Sequence, residues 1–201
     1  MVFYPPSPRN VSLEQARAIA AQIPFGVAKT GVFADQDADT ILRIAFESGL
    51  DVAQLHRSSN RIPPELFTAR GLPVVMALNL SGDALLEYVR RTPFDTGILV
   101  ECGQGPLPGG NGQEWRWADA AVLRGLRPFA VAGGLTPENV VTAITESGAT
   151  AVDVSSSVEQ SPGVKDFGRV REFIAAARSV SIPQSSPVFW RPYPTISNLS
   201  T

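Results

Sequence analysis

FAVAGGLTPENVVTAITESGATAVDVSSSVEQSPGVKD, residues 129–166, is the stretch whose reading decides the fold. Phe129-Ala130-Val131-Ala132 is a short apolar run without charge, as a strand buried on both faces of a parallel sheet requires. Gly133-Gly134 lets the backbone turn sharply and come close to a ligand with no Cβ in the way. Thr136 is expected to cap a helix whose first residue is Pro137. Ala151-Val152-Asp153-Val154 reads as the next strand, and Ser155-Ser156-Ser157 follows it directly. Two successive strands therefore end in turns rich in free N–H groups and hydroxyls. In a closed α/β barrel, the loops after the last two strands commonly hold a phosphate.

The same strand–helix alternation extends outward to both sides. Val2-Phe3-Tyr4 opens the chain, and Ser12 caps a helix with Leu13, Ala16, Ile19, Ala20 and Ile23 on one face. A strand is expected over 27–33, a helix over 37–48 closed by Gly49, and a strand over 50–55 ending at His56. A helix over 63–70 stops at Gly71. Then come a strand at 73–78, a helix at 83–91 and a strand at 96–100 ending at Glu101. Beyond a glycine-rich loop, a helix is expected around 117–125, and a closing helix over 166–178. Strands alternating with helices at this spacing mean βαβ units and a parallel sheet. The count is seven strands, so the fold class is α/β, a (βα)8 TIM-type barrel one βα unit short.

Composition narrows the function. The 201 residues suit one barrel domain over 1–178, followed by a Pro-rich, flexible tail over 179–201. An alternative for the tail is that Phe189, Trp190 and Tyr193 cover apolar surface left by the missing unit. No apolar run is long enough to span a membrane, and a net charge of −2 offers no basic footprint for nucleic acid. A single cysteine rules out an internal disulfide, and with no visible signal peptide the expected location is cytoplasmic. One histidine and one cysteine cannot build a structural zinc site.

AGGLTPENV at 132–140, VDVSSSVE at 152–159 and PGVKD at 162–166 resemble the C-terminal quarter of the phosphoribosylanthranilate isomerases. Those enzymes are (βα)8 barrels, and the resemblance implies that Gly133, Gly134, Ser155 and Ser156 hold the substrate phosphate. Ser157 stands where the family has glycine. VFYPPSPRNVSLEQARAIA resembles the family's second strand, loop and helix, which makes the first βα unit the missing one.

By position alone, Arg9 is either a solvated surface arginine or a bidentate carboxylate ligand. The match of SPR to the family motif implies that Arg9 grips the anthranilate carboxylate. GLDVAQLHRSS resembles the QLHG motif, with His56 as a polar wall of the site and Arg57 in place of a glycine, predicting a bulkier loop. In GILVECG, Glu101 occupies the place of the family's aspartate, the general acid that protonates the furanose ring oxygen. Gly109 to Gly112 with the tryptophans beyond resembles the GGTGxxxxW loop and brings Gly110 to the substrate.

The implied reaction is an Amadori rearrangement, which needs a base as well as an acid. The family's base is a cysteine in a KxCG motif ending strand one, and these 201 residues contain no such motif. Cys102 follows Glu101, and alternation along a strand, unless loop geometry overrides it, sends it to the other side as a small buried or semi-buried residue. No metal or organic cofactor is implied, because the substrate's imine is the electron sink. The implied partner is a small phosphosugar, bound by a monomer or homodimer. The rival readings are a binding barrel that lacks the base, and a different phosphosugar isomerase on the same scaffold.

Overall fold

A computed structural model describes residues 1–56, 62–102 and 115–181. Seven strands form one sheet: β1 (Val2–Phe3), β2 (Thr30–Phe33), β3 (Val52–His56), β4 (Val74–Leu78), β5 (Gly97–Val100), β6 (Ala130–Val131) and β7 (Ala151–Val152). All neighbours are parallel, and spatial order equals chain order from β1 to β7. The connecting helices are α1 (Leu13–Gln22), α2 (Ala38–Ser48), α3 (Glu65–Thr68), α4 (Gly82–Arg91) and α5 (Val140–Ser147), with a 3-10 helix at Trp117–Leu123 between β5 and β6. Unbroken sequential order is the TIM-type topology, because right-handed crossovers of one step put every helix on the same face.

The register separates two faces. Val74, Met76 and Leu78 point to the helices and join a large apolar layer with Phe33, Ile41, Phe67, Leu85, Ile98 and Val100. The alternate residues Val52, Val75, Ala77, Leu99, Ala130 and Ala132 form a second, smaller cluster on the inner face. The pairings Val32 with Gln54, His56 with Ala77, and Leu99 with Ala130 show which residues share that inner face. At the last turn of this face, strand alternation turns His56 and Glu101 inward.

Local chemistry fixes the helix ends. Ser12 and Gln15 form a reciprocal capping box, with Gln15 N–H donating to Ser12 Oγ at 3.1 Å and Ser12 N–H to Gln15 Oε1 at 2.8 Å. Asp37 caps α2 by accepting from Thr40 N–H at 2.7 Å, and Gly49 ends it at φ 64°, a left-handed cap that suits glycine.

Several boundaries differ from expectation. The helix after Gly134 begins at Val140, later than the Thr136 cap suggests. Thr136 instead opens a turn: its Oγ1 accepts from Glu138 N–H at 3.2 Å, and its own N–H donates to Asn139 Oδ1 at 2.7 Å. The segment at 117–123 is a 3-10 helix, and α3 covers only four residues. A small antiparallel hairpin, β8 (Glu159–Ser161) and β9 (Val164–Lys165), stands between β7 and the closing helix α6 (Phe167–Arg178), where sequence periodicity gives no strand. Arg57, the loop containing Gly110, and the tail aromatics Phe189, Trp190 and Tyr193 lie outside the described residues.

Candidate active site

At the C-terminal ends of the strands the inner face opens into a cleft of about 500 Å³. Its lining includes Arg9, Gln54, His56, Glu101, Asp153, Ser155, Glu159 and Lys165, with Val2, Val32 and Val154 as apolar wall. A TIM-type fold carries its chemistry at this end.

His56 and Glu101 end β3 and β5 with both side chains nearly buried, 7% and 9% exposed. His56 Nδ1 lies 2.9 Å from Glu101 Oε1. Both residues are held at strand ends, the Glu101 N–H donating to Leu78 O at 2.9 Å. A carboxyl and an imidazole in contact, facing a cleft, can hold and pass a proton.

Asp153 is the third ionisable group of this inner wall. Its N–H donates to Val131 O at 2.9 Å, which fixes it one residue past β7. Burial pushes the Asp153 carboxyl above the ordinary aspartate value, and the nearby Glu101 charge pushes in the same direction. The open side of the cleft still admits water to this side chain, so desolvation acts on it only in part. Asp153 is missing from the residues singled out by sequence reasoning. The rule that singles out Glu101, a carboxylate at the end of an apolar run, applies equally to VDV at 152–154.

The glycine turn sits beside this wall. Gly133 and Gly134 have φ of 88° and 67°, the left-handed region that favours glycine. A Cβ on Gly133 would stand 3.1 Å from the Cys102 backbone N and 3.2 Å from its Cβ. Cys102 therefore packs against the turn and is not among the residues lining the cleft. Trp115 Nε1 donates to Ala132 O at 2.8 Å, Asn139 Nδ2 to Gly134 O at 2.9 Å, and Ser157 Oγ to Leu135 O. Carbonyls of the turn are thus occupied, while the Gly133 and Gly134 amides donate to no partner among the described residues. Ser155 lines the cleft, and Ser156 starts a short 3-10 helix beside it. The Ser157 hydroxyl, bonded to Leu135 O, ties the second turn to the first.

Arg9 follows β1 and is brought to the cleft from the opposite side. Its Nε lies 2.9 and 3.1 Å from the two Glu159 oxygens, and its Nη2 2.7 Å from Oε2. Lys165 Nζ donates to Glu159 Oε1 and to Ser155 O, each at 2.9 Å. Desolvation pushes Glu159 up, but hydrogen bonds and charge from Arg9 and Lys165 outweigh it and hold the carboxyl down at about 2. The Arg9 guanidinium is in turn raised by that hydrogen bond. Neither Glu159 nor Lys165 is singled out by the sequence, although Pro162-Gly163 between short polar runs is a hairpin signal.

The cleft thus joins His56, Glu101, Ser155 and Arg9 as expected neighbours and adds Asp153, Glu159 and Lys165, while Gly133, Gly134 and Ser156 are not among its lining residues. Gly110 lies outside the described residues. Among the described residues no cluster of His, Cys, Asp and Glu forms a metal site, and no helix is long and apolar enough to cross a membrane.

Residues 1–176 match the family model for N-(5'phosphoribosyl)anthranilate (PRA) isomerase. An N-(5'-phosphoribosyl)anthranilate isomerase from Desulfatibacillum aliphaticivorans is 40% identical over 186 residues, covering 90% of this chain and 83% of the relative. The solved phosphoribosylanthranilate isomerase of Thermotoga maritima superposes with a TM-score of 0.77 at 33% identity, over 90% of this chain and 87% of that one. A phosphoribosylanthranilate isomerase in complex with reduced 1-(o-carboxyphenylamino)-1-deoxyribulose 5-phosphate superposes at 0.74, with 33% identity over 90% and 86%.

Proposed function

This chain belongs to the phosphoribosylanthranilate isomerase family, and from that premise we propose that it isomerises N-(5'-phosphoribosyl)anthranilate, an aldose-to-ketose step of tryptophan biosynthesis. The observation that carries the reading is the joint placement of His56, Glu101 and Asp153 at one end of the sheet, near a turn whose glycine amides have no partner among the described residues.

The chemistry needs three things. The phosphate needs N–H donors and hydroxyls, a role we assign to Gly133, Gly134, Ser155 and Ser156 beyond the ends of β6 and β7, of which Ser155 lines the cleft itself. The anthranilate carboxylate needs a cation with a planar fork, which is Arg9. The rearrangement needs an acid and a base. Glu101, aligned by His56, gives a proton to the furanose ring oxygen as the C1′–O bond breaks, leaving a Schiff base. A base then takes the C2′ proton, the electron pair moves into the imine, and the resulting enol tautomerises to the ketone. Among the described cleft residues, Asp153 suits the base role, since a raised pKa makes a carboxylate a stronger acceptor near neutral pH.

We further infer that the seven strands correspond to the second to eighth of the family barrel. Sequential order from β1 to β7 supports this, as does the absence of a β1–β7 pairing among the described residues. That open side favours a second reading, in which the cleft binds phosphosugars but turns over only when a further strand bearing the family cysteine is supplied. The proposed assembly is a monomer or homodimer.

One assay separates the two readings. Consumption of phosphoribosylanthranilate, followed by its fluorescence, is compared between these 201 residues and the same chain preceded by a family-like βα unit. Turnover by both, lost in Asp153→Asn and Glu101→Gln, supports the internal acid–base pair. Turnover only with the added unit supports the second reading, and silence in both overturns the isomerase assignment.

A further inference from the structure

Arg9 and Glu159 are 150 positions apart in sequence and belong to opposite ends of the sheet. Arg9 follows β1, and Glu159 begins the hairpin that follows β7. Their side chains are 16% and 4% exposed. Glu159 engages Nε and Nη2, the side-on edge of the guanidinium. That leaves the end-on edge, Nη1 with the second Nη2 hydrogen, with no partner among the described residues. Lys165 holds the same carboxylate from its other side and is anchored on Ser155 O. Within this trio two cations share one anion.

We infer that Glu159 is the positioning residue that fixes Arg9 for the substrate carboxylate, an inference that rests on the ligand role given to Arg9 above. A free arginine samples many rotamers, and ordering it on binding lowers affinity. With its side-on edge clamped by a carboxylate that Lys165 holds in turn, the Arg9 end-on edge stands ready before the ligand arrives. An aromatic carboxylate then makes two parallel N–H···O bonds to that edge. The alternative is that the ion pair merely fastens the β1 side to the β7 side, in which case it has no preference among ligands.

The test is ligand discrimination in a double-mutant cycle. Affinities are measured for reduced 1-(o-carboxyphenylamino)-1-deoxyribulose 5-phosphate and for the same compound without the ring carboxylate, on wild type, Glu159→Gln, Arg9→Ala and the double variant. Thermal unfolding is recorded alongside. In wild type the carboxylated ligand is expected to bind more tightly, and Glu159→Gln to weaken it about tenfold while the other ligand changes less than twofold. In the Arg9→Ala background the Gln substitution has no further selective effect. Should Glu159→Gln fail to fold, Glu159→Asp serves, with a smaller loss of the same selectivity. Equal weakening of both ligands would make the pair a fastening only. Full discrimination retained in Glu159→Gln overturns the positioning role while leaving Arg9 as the carboxylate ligand. No discrimination by wild type overturns the role of Arg9 itself, and the inference with it.

Discussion

Arg9 and Arg127 stand at opposite ends of the sheet, and their charges are used in opposite ways. Arg127, just before β6, donates to the backbone carbonyls of Thr92, Pro93, Phe94 and Thr96 and lies 5.1 Å from the centre of the Phe94 ring. Burial lowers its pKa, with only the Asp95 charge acting the other way. Arg9, just after β1, is paired with a carboxylate, and its pKa rises. At the lower rim a cation fastens loop backbone, and carbonyl dipoles accept from its Nη1 and Nη2. At the upper rim the cation is held by a counter-charge that leaves one edge open to the cleft. Equal charge thus fastens backbone below and, on the role proposed for Arg9, serves a ligand above.

The contrast breaks most decisively at Glu101. Glu101→Gln keeps shape and the contact with His56 but removes the transferable proton, so kcat should fall by roughly a thousandfold. Unfolding temperature and affinity for the reduced substrate analogue should stay near wild type. A variant that lost stability in proportion to activity would place Glu101 with the structural residues. Arg127→Met is the opposite experiment. It deletes the donors to four carbonyls while keeping an apolar stem, and should lower unfolding free energy by about 2–3 kcal/mol. The folded fraction should keep its kcat. Denaturant melts paired with active-site titration check both halves.

Unequal legibility in the sequence follows the same division of labour. Val74–Leu78 and Gly97–Val100 are legible because full burial demands uncharged apolar runs; Glu101 follows by position from the end of the second, as His56 does from the end of Val52–His56. The glycine turn is legible because backbone at positive φ restricts residue choice. The start of α5 is not, since Thr136 and Asn139 close a local turn whose hydrogen bonds compete with an immediate helix. Glu159 and Lys165 are illegible for another reason. Their role arises from Arg9, which no local pattern connects to them, and the strands that carry them are two or three residues long.

A smaller effect sharpens the comparison through pH. Glu159 has a folded-state pKa of about 2, below the 4.5 of an ordinary glutamate. Its contribution is therefore complete above pH 4.5 and disappears as pH falls toward 2. Lys165 is 41% exposed, so solvent screens part of the pairing and the loss should be about 1 kcal/mol. Unfolding curves of wild type and Glu159→Gln should converge across this window, while Arg127→Met keeps a constant gap. A constant gap for Glu159→Gln instead would mean that its carboxylate carries no charge-dependent stability.

The smallest expected effect concerns Asp153 and has the opposite sign. Its pKa is raised above the ordinary 3.8 by burial and by Glu101, so the folded protein favours the neutral form. That stabilisation is complete below pH 3.8 and is lost as pH rises through the folded value. A carboxyl whose charged form the fold disfavours is the pattern expected of a group kept for chemistry and not for stability. Asp153→Asn should raise the unfolding free energy at pH 7 by less than about 1 kcal/mol, because water reaches the side chain through the open cleft. The gain should vanish below pH 3.8, where the wild-type carboxyl is already neutral. A destabilised Asn variant at pH 7 would show that Asp153 holds the end of β7 in place, as Arg127 holds the loops below, and would move it from the ligand side of the comparison to the structural side.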